Sequence, residues 1–183
     1  MKQMAFFCCI LLSFYSNILF AQTYTPADNG SSIRFVIKNF GFNVEGSFKN
    51  LQGSMNFDPD NLKTSVFNVT VDAATVTTGN NSRDIHLKKE EYFDVIKYPK
   101  ILFATDKIEK TASGGYIATG KFTVKGKNKP VSIPFTAILQ SDGYLFKGKL
   151  ILNRRDFGVG GDSFVLSDNL TLAIIVFARK AKN

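Results

Sequence analysis

The chain contains one histidine, His86, no tryptophan, and two cysteines, Cys8 and Cys9, both close to the N-terminus. Each scarcity excludes a class of chemistry. A lone histidine, with no cysteine beyond residue 9, cannot assemble the ligand set of a typical zinc site. The sequence has no Gly-x-Ser-x-Gly nucleophile elbow and no P-loop. Gly158-Val-Gly160-Gly161 lacks dinucleotide-binding spacing and follows no strand-to-helix pattern. These absences leave enzymatic function with little positive support, and neither a metal nor a cofactor is expected. No internal repeat, low-complexity block or charge run divides the 183 residues, a length that fits one domain.

The one long apolar run, Ala5–Leu19, is too short for a comfortable membrane span. With Lys2 before it and Phe20-Ala21-Gln22 behind, residues 1–21 read as a secretory signal, leaving 22–183 as the folded domain. The expected location is periplasmic or secreted. The mature chain then has no cysteine. It reaches an oxidising space without disulfides, and its stability must come from its core. The net charge is +8, or +7 without Lys2. Such a balance suits nucleic acid, anionic lipid head groups, or nothing in particular. Export argues against nucleic acid.

What the sequence has in plenty is period-two alternation. Ile33, Phe35 and Ile37 alternate with Arg34 and Lys38; Phe67, Val69, Val71 and Ala73 alternate with Asn68, Thr70 and Asp72. Met55 and Phe57, Tyr116 to Val124, Val131 to Leu139, Tyr144 to Leu152, and Leu170 to Val176 repeat the pattern. Each segment reads as a strand with one buried face. Ser113-Gly114-Gly115, Lys127-Asn128 and Ser141-Asp142-Gly143 read as the turns between them. Short connections favour antiparallel neighbours. About eight strands in one domain predict an all-β closed barrel, since closure removes exposed edges. Fourteen phenylalanines follow the signal. Alternation alone does not decide whether they fill the barrel or line a space for a ligand. Gly120 and Gly148 share their faces and leave room inside.

Arg83 to Phe103 interrupts the alternation. Asn80, Asn81 and Ser82 can cap a short helix with Asp84 in its first turn, and Pro99 pushes Tyr98 towards an extended backbone. The reading is a helical insertion near residues 83–96 between two strands. Arg83-Asp84-x-His86-Leu87, then Tyr92-Phe93-Asp94, then Tyr98-Pro99 and Phe103, resemble the signature of the YceI-like family. Gly120-Lys-Phe-Thr-Val-Lys-Gly126 with Lys129-Pro130-Val131, and Arg155-Asp156-Phe157-Gly158, resemble two further motifs of that family. The resemblance runs from about Tyr24 to the C-terminus. Tyr24 stands where the family usually has tryptophan, and Gly30 and Asn39 stand where histidines are often seen.

The resemblance implies a lipocalin-like antiparallel barrel with an elongated apolar tunnel, binding a long isoprenoid lipid or quinone in the periplasm. The expected tail contacts are the inward residues Phe35, Ile37, Phe57, Phe67, Val69 and Val71 of the first half. In the second half they are Phe103, Phe122, Phe135, Phe146, Leu150, Leu172 and Ile174. The charged residues Arg83, Asp84, His86, Arg154, Arg155 and Asp156 would meet or gate the polar head. The alternatives remain structural: Arg83, Asp84 and His86 as a local cluster fixing the insertion, and Arg155 paired with Asp84 or Asp156. The lysines at 121, 125, 127, 129, 147 and 149 read as a solvated face or as a surface for transient contact with anionic membrane. Relatives are often dimeric, so a homodimer is also open. A solid barrel acting through its surface is the second reading, and a hydrolase or isomerase using His86 the third.

Export has a direct check. The mature protein should begin at or near Gln22 and lie outside the cytoplasm; N-terminal sequencing that finds Met1 on the exported species would overturn the signal assignment.

Overall fold

A strand with one apolar face must cover it, and a sheet of such strands does so by curling until its edges meet. The computed structural model describes residues 22–181, so the proposed signal segment lies outside the described residues. Eight strands pair antiparallel in chain order and close into a barrel. They are β1 (Thr23–Asn39), β2 (Phe42–Asn56), β3 (Val66–Thr77), β4 (Lys100–Lys110), β5 (Tyr116–Val124), β6 (Lys127–Gln140), β7 (Gly143–Asn153) and β8 (Leu166–Lys180). Closure is the β1–β8 ladder, which runs from Tyr24↔Lys180 to Asn39↔Leu166. A bulge between Ala27 and Ser32 breaks that ladder, and Ser31 Oγ repairs it by accepting from Phe177 N–H at 2.8 Å.

One helix, α1 (Asn81–Leu87), follows β3. Asn80 caps it, its side chain accepting from Arg83 N–H at 3.0 Å. The insertion expected near 83–96 is therefore helical only to Leu87. Beyond it the chain turns on itself, with Phe93 N–H donating to Leu87 C=O at 3.0 Å and Tyr98 N–H to Asp94 C=O at 2.8 Å. β4 starts directly after Pro99, as the proline requires.

One turn expectation and one interior expectation change. The β5–β6 turn is Lys125-Gly126, not Lys127-Asn128, which pair with Val124 and Thr123 in the ladder. Both turn residues are left-handed, at φ 51° and 71°, the two-residue geometry that suits the right-handed twist of a hairpin. Gly120 does not leave room inside. A Cβ there would lie 2.1 Å from Ala104 C=O, so the glycine serves a close strand approach beside the β4 irregularity at Thr105–Lys107.

The interior is filled at one end. Phe57, 2% exposed, has its ring centroid 5.2 Å from those of Tyr116, Tyr144 and Phe146, in edge-on contacts. Phe67 and Phe135 pack around the same ring. Tyr24 meets Tyr144 edge-on at 5.3 Å and extends this aromatic floor.

Candidate functional site

Above the floor the barrel is hollow. A cavity of about 160 Å³ lies between the strands, walled almost wholly by hydrocarbon. An engineered apolar cavity of about 150 Å³ stays dry and takes up benzene, so this space can hold an apolar group. Of the residues expected to contact a tail, Phe35, Phe67, Val69, Val71, Phe103, Phe122, Phe135, Phe146, Leu172 and Ile174 line it. Three do not. Phe57 belongs to the floor, while Ile37 and Leu150 pack within the core away from the free space. Gly148 does line it, as its inward position suggested.

The other end is covered by two connections. Because the strands alternate in direction around the ring, the β1–β2, β3–β4, β5–β6 and β7–β8 connections share that end. Phe93 from the β3–β4 insertion, and Phe157 and Val159 from the β7–β8 loop, reach the cavity. Phe93 packs edge-on against Phe48 at 5.4 Å, and Phe157 against Phe122 at 5.8 Å. The two connections hold each other: Gly160 N–H donates to Glu91 C=O at 2.9 Å, and Lys125 Nζ, from the β5–β6 turn, bridges them by donating to Glu91 C=O at 3.4 Å and Gly158 C=O at 3.0 Å. They form a lid.

Arg154 organises that lid. It is 3% exposed and borders the cavity, yet all five of its N–H groups are engaged. Nε donates to Ser167 C=O, Nη1 to Val159 and Gly161 C=O, and Nη2 to Leu166 C=O and Asp168 Oδ1, at 2.8–3.3 Å. Its charge and forked donors are spent on folding the loop. Arg155 points outward and pairs with Asp162 and, at 3.6 Å, with Asp168, rather than with Asp84 or Asp156. Asp156 is exposed on the surface of the loop.

Arg83 and Asp84 face a different segment. Arg83 donates to Thr78 Oγ1 at 2.7 Å and Thr78 C=O at 3.0 Å; Asp84 accepts from Thr77 Oγ1 at 2.9 Å and Thr78 N–H at 2.8 Å. Together they fasten α1 to the end of β3. Burial alone would raise the Asp84 pKa, but hydrogen bonds from Thr78 and Thr77, with the Arg83 charge, outweigh it and hold the carboxyl below its ordinary value. His86 is half-exposed, edge-on to Tyr92 at 5.0 Å, with Nε2 3.7 Å from a Glu91 oxygen. The six charged candidates thus form separate local clusters rather than one head-group pocket.

The YceI-like domain family matches residues 24–178. The chain belongs to this family. A UPF0312 protein of Yersinia enterocolitica is 31% identical over 157 residues, which cover 82% of this chain and 81% of that protein. The crystal structure of BcnA from Burkholderia cenocepacia superposes with a TM-score of 0.78 at 26% identity, covering 82% of this chain and 98% of that one. A polyisoprenoid binding domain from Saccharophagus degradans shares the fold alone: TM-score 0.69 at 12% identity, covering 87% of this chain and 99% of that domain.

In this YceI-like chain, the motif residues map onto the lid and its fastenings more than onto the cavity wall. Sequence reasoning missed the lid residues Phe93, Phe157 and Val159 and the wall residues Phe48, Leu51 and Val176 as lining. Val176 was legible from β8 alternation. Phe48 and Leu51 straddle a break in register at Lys49–Gln52, where Asn50 is left-handed at φ 60°, so simple alternation skips them.

These assignments separate by mutation. Arg154→Met should lower unfolding free energy by about 3–5 kcal/mol, because it orphans several buried carbonyls and a carboxylate. Arg155→Ala should cost under about 1 kcal/mol and His86→Ala within about 0.5 kcal/mol. Urea titration reads all three, and a His86→Ala loss as large as that of Arg154→Met would contradict the assignment. The lowered Asp84 pKa contributes stability above the unfolded value, which is lost as pH falls through the folded one. The advantage of wild type over Asp84→Asn should therefore be complete above about pH 5 and shrink below about pH 4.

Proposed function

We propose that this chain is an exported carrier that sequesters a long-chain isoprenoid lipid, an isoprenoid quinone or a polyprenyl compound, inside the barrel. The carrying observation is a hollow, hydrocarbon-walled half-barrel between an aromatic floor and a two-part lid. Family membership and the shared fold of a polyisoprenoid binding domain support the same reading. It makes the protein a binding module whose work is burial.

Each tail methylene withdrawn from water contributes about 0.8 kcal/mol. Ten would give roughly 8 kcal/mol gross, offset by the entropy of association and of ordering the tail. The branched aliphatic walls and the rings of Phe103, Phe122 and Phe135 impose shape without demanding polar partners. A tail longer than the present space needs Phe93 and Phe157 to give way, so the lid is the part that must respond to the ligand.

The test separates a hollow from a solid barrel. Ligand bound only by the folded state adds stability by mass action, about 2.7 kcal/mol at a hundredfold excess over its dissociation constant. Delipidated wild type should melt lower than native protein, and added isoprenoid should restore the melting temperature. Ala118 is 2% exposed and borders the cavity. Ala118→Leu fills part of the hollow, so it should fold with unchanged or higher stability when empty and lose most of the isoprenoid-dependent rise. Phe57→Ala, in the floor, should cost about 3–5 kcal/mol whether or not lipid is present. Melting temperatures indifferent to added isoprenoid in both wild type and Ala118→Leu would refute the carrier reading.

A further inference from the structure

We infer that the lid end of the barrel docks on the surface of an anionic lipid bilayer, with Phe40, Phe42 and Phe164 entering the interfacial layer. The large apolar side chains exposed on this protein are unevenly placed. Phe40 is 70% exposed, Phe42 78% and Ile96 96%, while Phe164 is fully exposed and Ile85 mostly so. Four belong to the β1–β2, β3–β4 and β7–β8 connections, which share the lid end, and Phe42 opens β2 beside them. At the opposite end, the exposed large apolar side chains among the described residues are aliphatic, such as Val66 and Leu139.

The β1–β2 tip carries a second sign. Asn39 pairs with Phe42, so Phe40-Gly41 is a two-residue turn with both residues left-handed, at φ 50° and 80°. Asn-Gly or Gly-Gly suits such a turn. A phenylalanine at positive φ is strained, and here the ring gains no core packing in return. Strain held at an exposed position points to a use outside the fold. Phe40 N–H donates to Val165 C=O at 2.8 Å, which brings the tip that carries Phe40 and Phe42 against the β7–β8 loop that carries Phe164.

The charge around that end selects the partner. Lys38 precedes the tip, Lys88, Lys89 and Lys97 lie on the insertion, and Lys127 follows the β5–β6 turn, whose Lys125 is already engaged by the Glu91 and Gly158 carbonyls. Acidic residues occur on the same connections, but several are engaged locally: Asp84 by Thr77 and Thr78, Asp162 and Asp168 by Arg155, and Glu91 near His86. Aromatic rings on protruding tips with lysines behind them fit a bilayer interface, where rings settle at head-group depth and cations meet anionic lipid. Docked end-on, the lid would face the bilayer from which an isoprenoid tail must be drawn. That physiological use rests on the carrier reading, but the docking itself needs no ligand.

Vesicles free of isoprenoid therefore test it separately. Mature protein should float with phosphatidylcholine vesicles containing phosphatidylglycerol, less with phosphatidylcholine alone, and less at high salt. The chain has no tryptophan, so Phe164→Trp supplies a single reporter. Its emission should shift to the blue on adding the anionic vesicles. Phe40→Asn relieves the strained turn and should leave the melting temperature unchanged or higher. Combined with Phe164→Ser, it should lower vesicle affinity at least tenfold. The proposal is overturned if wild type fails to float with anionic vesicles, or if the double variant binds as well as wild type. It is also overturned if the same substitutions dissociate a dimer that ignores vesicles, since this end would then be a subunit interface.

Discussion

The first and last strands of this protein are neighbours, and every inward side chain owes its burial to that pairing. Without β1 on β8, two long edges would stand open and the apolar faces of eight strands would be exposed to water. The bulge in β1 shows how strictly closure is maintained. Where the backbone ladder lapses between Ala27 and Ser32, the Ser31 hydroxyl takes over one bond and Asp28 accepts from the backbone of Asn50 and Leu51 on the next strand. A ring of eight strands is just wide enough that side chains can fill it or leave one ligand-sized space. This barrel does both, packing aromatics around Phe57 at one end and leaving the other hollow.

The hollow half creates the need for a lid. An apolar cavity open to water would lose the advantage of burial, so the connections above it must supply hydrocarbon and stay in place. Phe93, Phe157 and Val159 supply the hydrocarbon. Arg154 supplies the position, its guanidinium satisfying four carbonyls and a carboxylate around a loop with little regular structure of its own. Arg83 and Asp84 do the same for α1 by gripping Thr77 and Thr78. Of the residues that carry the family resemblance, Phe93 and Phe157 form the lid and Arg83 and Asp84 fasten its helix.

Much of this was legible in the sequence. Alternation along β1, β3, β5, β7 and β8 gave strand number, antiparallel order and most of the inner wall, because the pleat makes facing a matter of counting by two. Counting failed where the ladder slips, at Phe48 and Leu51, and where small residues serve close backbone approach, at Gly120. Composition could not say whether inward phenylalanines fill or line. That depends on where Phe57 stands along the barrel axis, and it takes Tyr116, Tyr144 and Phe146 from other strands to make it a floor. The charged residues were visible as a set, but their partners were not. Arg155 meets Asp162 and Asp168 because the loop folds around Arg154, a long-range outcome that local spacing does not encode.

The central claim is that the space between floor and lid belongs to an isoprenoid chain. Its most direct measurement is a mass spectrum of the organic extract of the protein, purified without detergent from cells that express the full chain. The account expects a single isoprenoid lipid class in near-stoichiometric amount, greatly reduced in extracts of Ala118→Leu. An extract free of lipid, or one holding a mixture of membrane phospholipids in equal amount from both proteins, would contradict it.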